Sequence, residues 1–325
     1  MGLGRLFPLM LAGMLAAGGP AWAQNYPERS IKLVLPFVPG GITDTVGRLW
    51  AEKMKGLLGP IFVENQGGAG GAVGAAAVVR AQPDGYTLLL GGTAALVLIP
   101  ATARQAPYDP AKDLEPISIL GLTAMTIAIH PAVPAQNLQE LIDFAKANPG
   151  KLSYGSGGAG SMAHLTGELF KSLTQTSHIV HVPYKGGGQS ITDLVSGHIP
   201  MVATSVTGQV LELHRSGKVR MLAVTTAARI IAAPDIPTAV EAGLPGMIAQ
   251  NFFDLFAPAG TPKAIIEQIA QATGRAMADD EFRQKLIASG FEPHLDSTPE
   301  TARRFVDVEV SRWTPVIKTI GLKLE

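Results

Sequence analysis

The stretch YGSGGAGSMAHLTGELF, which begins at Tyr154, has the composition of a loop that holds an anion. Its spaced glycines spell G-x-G-x-x-G, and Ser161 can cap the helix-forming residues that follow. Free backbone N–H groups at a helix N-terminus attract anions, and glycines let a ligand approach the backbone closely. Glycines followed by a small polar residue at the start of a predicted helix recur at Gly40–Asp44, so the chain carries two candidate anion loops.

A dinucleotide-binding loop is the competing interpretation of the G-x-G-x-x-G pattern. It requires an Asp or Glu about 20 residues further on, at the end of the next strand, to hold a ribose. That strand is predicted at Ile179–Pro183 and holds no acidic residue, since Glu168 precedes it and Asp193 follows it. The anion-loop interpretation is therefore favoured, and a pair of tight turns is the structural alternative.

Several side chains beside these loops have two possible roles each. Thr43 or Asp44 is expected to cap the first helix, and the charge of Asp44 fits a structural or amine-binding role better than carboxylate binding. His164 can face a ligand or form a hydrogen bond back to its own loop. Lys185, which precedes three glycines, can neutralise an anion or extend into solvent.

Motifs typical of other chemistries do not occur in the sequence. It contains no G-x-S-x-G, no H-E-x-x-H and no Walker A lysine, and the lack of cysteine excludes disulfides and thiolate catalysis. His178 and His181 lie three apart in a predicted strand, so they point to opposite faces and cannot share a metal ion. We expect neither a metal nor a cofactor.

The first 23 residues are predicted to be a secretory signal peptide. A single charge, Arg5, precedes an apolar run, and Ala21-Trp22-Ala23 matches a cleavage site. The remaining chain has a formal charge of −1, which offers no electrostatic footprint for nucleic acid or a membrane surface. The sequence therefore predicts an exported, soluble protein, with a monomer as the default.

Alternating strand and helix patterns predict an α/β fold. Short β-branched runs lead through glycine loops into amphipathic helices, a pattern typical of parallel sheets covered on both faces. Long extended runs at 117–130 and 219–225 are expected to cross between two domains. The predicted first domain comprises residues 25–124 and 226–325, and the second, residues 125–225, is inserted into it. Two crossings imply a hinge and an interdomain ligand cleft.

Longer motifs cover nearly the whole mature chain in a fixed order. They are YPERSIKLVLPFVPGGITDTVGR, VENQGGAGGAVGAAAV, AQPDGYTLLLGG, PYDPAKDLEPIS, NPGKLSYGSGGAGSMAHLTGELFK, HVPYKGGGQSITDLVSGHI, GKVRMLAVT and FAPAGTPKAII. Together they resemble the periplasmic substrate-binding proteins of tripartite tricarboxylate transporters, the Bug receptors. The resemblance implies a type II periplasmic binding protein that closes on a small organic acid and delivers it to membrane subunits of the transporter.

The resemblance also implies that loops from both domains bind the ligand. In this sequence the expected positions are Gly40, Gly41, Ile42, Thr43, Asp44, Gly92, Thr93, Ser156, Gly158, Ala159, Gly160, Ser161, His164, Tyr184, Lys185, Thr204, Ser205 and Phe253. Three departures alter the family pattern. Asn65-Gln66-Gly67-Gly68 replaces Asn-Arg-Pro-Gly, Phe252-Phe253 replaces a segment that often holds Trp, and Pro200 replaces an Asp. These departures affect the identity of the ligand's distal group, not the fold.

Two other functions remain open at the level of sequence. A ligand-binding co-sensor for a two-component system would use the same cleft and differ only in its partner. An exported hydrolase or isomerase would need a nucleophile with a base or a titratable pair, and no motif indicates one.

Overall fold

The computed structural model describes residues 26–102 and 106–320, so the predicted signal peptide lies outside it. The strands are β1 Ile31–Leu35, β2 Ile61–Asn65, β3 Thr87–Gly92, β4 Leu114–Ile129, β5 Ser153–Ser156, β6 Val180–Pro183, β7 Met201–Ser205, β8 Arg220–Val224, β9 Gln250–Pro258 and β10 Glu292–Pro293. The helices are α1 Ile42–Met54, α2 Ala72–Val79, α3 Ile99–Thr102, α4 Pro110–Asp113, α5 Leu138–Ala147, α6 Met162–Thr174, α7 Gly187–Val195, α8 Gly208–Arg215, α9 Lys263–Met277, α10 Asp280–Ala288 and α11 Pro299–Ile320.

The ten strands of the described chain form one continuous sheet in the order β2-β1-β3-β9-β4-β7-β5-β6, with β8 and β10 also paired to β4. Each end of the sheet consists of three parallel strands, as the alternating sequence pattern predicts. The middle is antiparallel, because the long strands β4 and β9 run between the two parallel sets.

Strand β4 is shared between the two halves of the molecule. Its residues from Leu114 to Ala124 pair with β9, and its residues from Met125 onward pair with β7 and β8. The register with β9 shifts twice, between Pro116 and Ser118 and between Ile119 and Gly121. Such irregularities let a strand bend, so β4 is suited to cross a hinge.

Apolar side chains cover both faces of the sheet in each half. In the first half, Trp50 of α1 and Ile269 of α9 pack on one face, while Trp313 of α11 packs on the other. In the second half, α5 and α6 cover one face and α7 and α8 the other. Each half therefore has a three-layer α/β architecture with its own core.

The predicted return to the first domain at residue 226 is wrong. Ile230 and Ile236 pack into one core of the second half, and Met247 packs into the other. The chain returns only with β9, at Gln250. No local pattern indicates this later return, because residues 226–249 form turns whose apolar side chains show no strand or helix period.

Candidate ligand-binding site

The carboxyl ends of the two parallel strand sets face each other. Gly92 at the end of β3 pairs with Phe253 of β9, which in turn pairs with Gly121 of β4. Ser205 at the end of β7 pairs with Met125 of β4, and β7 runs in the opposite direction to β3. Since ligands of open α/β sheets bind beyond the carboxyl ends of the strands, this register places a cleft at the boundary of the two halves.

The first candidate anion loop leads from β1 into α1. Helix α1 begins at Ile42, and its N-cap is Gly41, with extended backbone and without a side-chain cap from the described residues. The prediction that Thr43 or Asp44 is the cap is wrong. The helix begins earlier because the carbonyl of Gly41 already accepts a hydrogen bond from the Thr45 amide, at 3.0 Å. The first amides of α1 are thus open to a ligand.

Asp44 lies within the first turn of α1 and fixes the loop before it. Its carboxylate accepts hydrogen bonds from the Gly40 amide at 3.1 Å and from Arg48 and Asn65 at 2.9 Å each. Burial alone would raise the pKa of this carboxyl, but the hydrogen bonds from Arg48 and Asn65 hold it below its usual value. Both oxygens of the buried carboxylate are therefore committed to structure, in agreement with the structural role considered above.

The second candidate anion loop joins β5 to α6. Ser161 caps α6 as predicted, since its hydroxyl accepts from the His164 amide at 3.2 Å and donates to the Gly158 carbonyl at 2.7 Å. Strand β5 extends to Ser156 and so includes the first residues of the predicted glycine loop. Ser156 is therefore fully buried, and its hydroxyl accepts from the Gly158 amide at 3.1 Å. This hydroxyl shapes the loop from within, while Ala159 at the loop's tip is exposed.

Two further strand ends lie against this second loop. A Cβ on Gly158 would lie 2.9 Å from the carbonyl oxygen of Tyr184, and one on Gly157 would lie 3.4 Å from the Gly187 amide nitrogen. The hydroxyl of Thr204 lies 3.7 Å from the corresponding position on Gly187. The structure thus brings together the predicted site residues at the ends of β5, β6 and β7.

The N-terminus of α7 is a feature that the sequence analysis missed. Three glycines follow Lys185, and α7 begins at the second of them, Gly187. Its N-cap, Gly186, has no side-chain cap among the described residues, so α7 resembles α1 and differs from the capped α6. No Ser, Thr, Asn or Asp precedes this helix start, so the local sequence carries no cap signal for it. Lys185 beside it is exposed.

Aromatic and charged side chains form a compact cluster behind the second loop. The rings of His164 and His181 stack with centroids 4.0 Å apart, and Tyr154 stacks on His181 at 4.8 Å. Tyr154 donates a hydrogen bond of 2.8 Å to Glu168, which also pairs with Lys171. Burial lowers the pKa of His181 to about 4, and His164 adds to this effect. Burial also lowers the pKa of His164, although Glu168 acts in the opposite direction.

His164 makes the hydrogen bond to its own loop that the sequence analysis left as one of two alternatives. The amide of Gly160 donates to Nδ1 of His164 at 3.2 Å. His181 reaches the same loop through Nε2, which lies 2.7 Å from the Ser156 hydroxyl. His181 is not among the predicted site residues. Its position depends on the pairing of β5 with β6, which no local pattern reveals.

The remaining predicted positions lie at the end of β3 and on β9. Thr93 is buried, and its hydroxyl accepts from the Phe252 amide at 3.1 Å. Phe253 packs in the core of the first half, where its ring meets Phe291 edge-on at 5.1 Å. The ring of Phe253 is therefore buried in the core of the first half.

Within residues 26–102 and 106–320, no helix is both long and apolar enough to cross a membrane. No group of three or more His, Cys, Asp or Glu side chains in these ranges could hold a metal ion.

The fold, with a hinge strand between two α/β halves and a cleft at their facing strand ends, is that of a two-domain periplasmic binding protein. The pattern of the tripartite tricarboxylate transporter family receptor matches residues 46–322. The chain belongs to this family. It is a periplasmic solute receptor of the tricarboxylate-transporter type.

Relatives of known name and structure are similar over nearly their full length. Protein BugT of Bordetella pertussis is 34% identical, with 100% of each chain covered. A Rhodopseudomonas palustris protein solved with adipate is 32% identical with a TM-score of 0.85, over 92% of this chain and 99% of that one. MatC of R. palustris with bound malate is 32% identical with a TM-score of 0.81, over 90% and 100%.

Proposed function

We propose that the protein captures a small organic carboxylate, such as a dicarboxylate, between the loops Gly40–Asp44 and Ser156–Ser161. The observation that carries the proposal is the open N-terminus of α1 at the facing strand ends, opposite the glycine loop and the open N-terminus of α7. Unpaired helix amides and the helix dipole favour an anion at such a place. Adipate and malate in two structural relatives support the choice of ligand class.

We further propose that residues 1–23 direct export and are removed, and that the closed receptor delivers its ligand to membrane subunits of the transporter. The family assignment supports both steps. A ligand that binds the closed form more tightly shifts the population toward it, and the membrane partner then selects that form. Capture of the transporter's membrane subunits by the liganded protein tests this step against the co-sensor alternative, in which a kinase would be captured instead.

A substitution at the N-cap of α1 tests the binding mode. A Cβ on Gly41 would meet nothing within 4 Å, so Gly41→Asp is sterically tolerated. The new carboxylate would cap α1 itself and occupy the place of the ligand's carboxylate, so folding should be unimpaired while binding falls at least about tenfold. Gly56→Asp, beyond the other end of α1, is the matched control, because its Cβ position is equally open.

The measurement is calorimetric titration of both variants with malate, adipate and their diamides. Binding of an acid by the wild type and by Gly56→Asp, but not by Gly41→Asp, supports the proposal. Equal affinity in all three proteins, or equal binding of the amides, contradicts it.

Among the described residues, the Ser156–His181 pair is an observation that would favour an enzyme over a receptor, since a nucleophile and its base make such a contact. Nε2 of His181 lies 2.7 Å from the hydroxyl of Ser156, but this serine is fully buried and accepts a hydrogen bond from Gly158. We therefore propose binding without catalysis. Release of nitrophenol from an activated ester by the wild type, lost in Ser156→Ala, would reverse this choice.

A further inference from the structure

One member of the histidine pair behind the second loop, His164, accepts a hydrogen bond from one of the loop amides. Nδ1 of His164 accepts a hydrogen bond from the Gly160 amide, at 3.2 Å. An imidazole nitrogen that accepts carries no proton, so the neutral ring of His164 holds its proton on Nε2. The Gly160 amide lies at the start of the loop's final turn, and this hydrogen bond directs it to the histidine instead of to a ligand.

The other member, His181, contacts a second polar atom of the same loop, the hydroxyl oxygen of Ser156. Its Nε2 lies 2.7 Å from the Ser156 hydroxyl, which also accepts from the Gly158 amide at 3.1 Å. The alternative acceptor for the serine proton, the Gly158 carbonyl, is more distant at 3.3 Å and already accepts from Ser161. The shorter contact favours donation from Ser156 to His181, so His181 is also neutral in the ligand-free loop.

We propose that binding of a carboxylate at the second loop protonates Nδ1 of His164 and releases the Gly160 amide to the ligand, while His181 stays neutral and holds Ser156. The inference rests on the proposed function. The proton comes from the buffer and forms an N–H bond at Nδ1. Both ring nitrogens of the imidazolium are donors, so His164 no longer accepts from the Gly160 amide. The N–H of Gly160 is then free to donate to the bound anion.

The charges around His164 explain why the proton arrives only with a ligand. In the free protein, burial disfavours the imidazolium, and the carboxylate of Glu168 is already paired with Lys171 at 2.8 Å and bonded by Tyr154. An added carboxylate at the loop is an unpaired anion in the same half-buried environment, and it favours the charged ring. A second proton on His181 is disfavoured, because two stacked imidazolium rings 4.0 Å apart repel each other.

The neighbouring elements add few other charges. The segments of β4 and β7 in the second half, 125–129 and 201–205, contain no ionisable residue, and β5 contributes only Tyr154. Helix α11 contacts α6 and shares with it an apolar cluster that includes Trp313 and Ile317. The ionisable side chains beside these two residues are Arg312, which pairs with Glu309, and the exposed Lys318.

Calorimetric titration in two buffers of different ionisation enthalpy measures the protons taken up with each ligand. Malate and adipate are the probes, between about pH 5.5 and 7. We expect uptake of a fraction of one proton in the wild type and an affinity that rises as the pH falls, by at most about tenfold per pH unit. In His164→Gln the proton uptake and the pH dependence that come from this ring should vanish. The side-chain amide oxygen of the glutamine can still accept a hydrogen bond from Gly160, but the glutamine does not titrate.

Subtracting the proton uptake of His164→Gln from that of the wild type removes the contribution from protonation of the ligand itself. His198→Gln is the matched control, since this histidine is exposed and lies beside Asp193, outside the cluster. It should behave as the wild type does. Equal proton uptake in the wild type and in His164→Gln overturns the inference.

A measurement without ligand keeps the inference separate from the proposed function. If the wild type binds neither acid, the proposed function fails for these probes, and NMR titration of the free protein decides the histidine inference. We expect the Gly160 amide resonance to shift in step with protonation of the His164 ring, and this step to be absent from His164→Gln. A Gly160 resonance that ignores the His164 titration overturns the inference.

Discussion

The side-chain amide of Asn251 donates a hydrogen bond of 3.0 Å to the hydroxyl of Ser205, and it thereby joins β9 to the end of β7. The next residue of β9, Phe252, donates its amide to Thr93 at the end of β3, at 3.1 Å. Two successive residues of β9 therefore contact the strand ends of both halves. The floor of the cleft is one connected sheet, so opening and closing must occur by bending β4 and β9.

Ser161→Ala should lower stability by about 1 kcal/mol and weaken carboxylate binding by a factor of about three or more. The substitution removes the cap of α6 and the hydrogen bond from Ser161 to the Gly158 carbonyl, so the loop loses its shape as well as a donor. Urea unfolding and calorimetric titration with malate measure the two effects. Thr207→Ala removes the equivalent cap of α8 and should cost similar stability without affecting binding. Equal effects of both variants on binding would contradict a specific role for Ser161.

Asp44→Asn should destabilise the protein by about 2 kcal/mol at pH 7, because a buried carboxylate with three hydrogen bonds is replaced by an amide. The pKa of Asp44 is lowered in the folded protein, so its contribution is present above the unfolded pKa and is lost as the pH falls through the folded one. The difference in unfolding free energy between wild type and variant should therefore shrink only below about pH 4.

The control for this prediction is Asp143→Asn, which changes an exposed carboxylate on α5. It should alter the unfolding free energy by less than about 0.5 kcal/mol, both at pH 7 and below about pH 4. A loss in Asp44→Asn that is no larger than in this control would show that the network around the first loop does not stabilise the fold.

The sequence predicted those features that depend on local chemistry. Ser161 was recognised as a cap because a serine before an apolar helical period has few other roles, and the two parallel strand sets followed from β-branched runs and glycine loops. The start of α1 was predicted too late and the start of α7 was not identified, since glycine is a weak cap and a strong turn former in any local pattern. The contact between Ser156 and His181 joins residues from different strands, and the burial of Phe253 depends on strand register. Neither leaves a local trace.

Gly167→Ala should lower stability by about 1–3 kcal/mol and weaken ligand binding. Gly167 lies inside α6, and a Cβ at this position would overlap the ring of Tyr154. Tyr154 is fully buried and stacks on His181, so its displacement must disturb the cluster behind the second loop. Urea unfolding measures the first effect and titration with malate the second.

Gly274→Ala is the matched control for this prediction, because Gly274 lies inside α9 with nothing within 4 Å of its Cβ position. It should raise stability by up to about 1 kcal/mol through the helix propensity of alanine. If Gly167→Ala were as stable as Gly274→Ala, the close approach of α6 to Tyr154 would not be a packing constraint.

Asp254 is the least favourably placed acid in the described part of the chain. It lies fully buried on β9, and neither carboxyl oxygen has a well-formed hydrogen bond within the described residues. Burial raises its pKa well above the usual value, and the backbone amides of Ser118 and Leu255 and the charge of Arg303 offset only part of this effect. Near neutral pH the folded protein must therefore either ionise this buried carboxyl or keep it protonated while the unfolded chain releases the proton. Either way the free energy of unfolding is lowered.

Asp254→Ala should consequently raise the unfolding free energy at pH 7, by about 1–3 kcal/mol. A carboxyl with a raised folded pKa contributes stability that is complete below its unfolded pKa and is lost as the pH rises, so the advantage of the variant should decline toward pH 4. The histidine pair has the opposite slope, because lowered pKa values reduce stability as the pH falls below about 6.5. The quantity to compare is therefore the unfolding free energy of the wild type minus that of the variant, measured by urea unfolding at several pH values. Asp307→Ala, at an exposed position of α11, should leave the profile unchanged, and a profile of Asp254→Ala parallel to that of the wild type would refute the assignment.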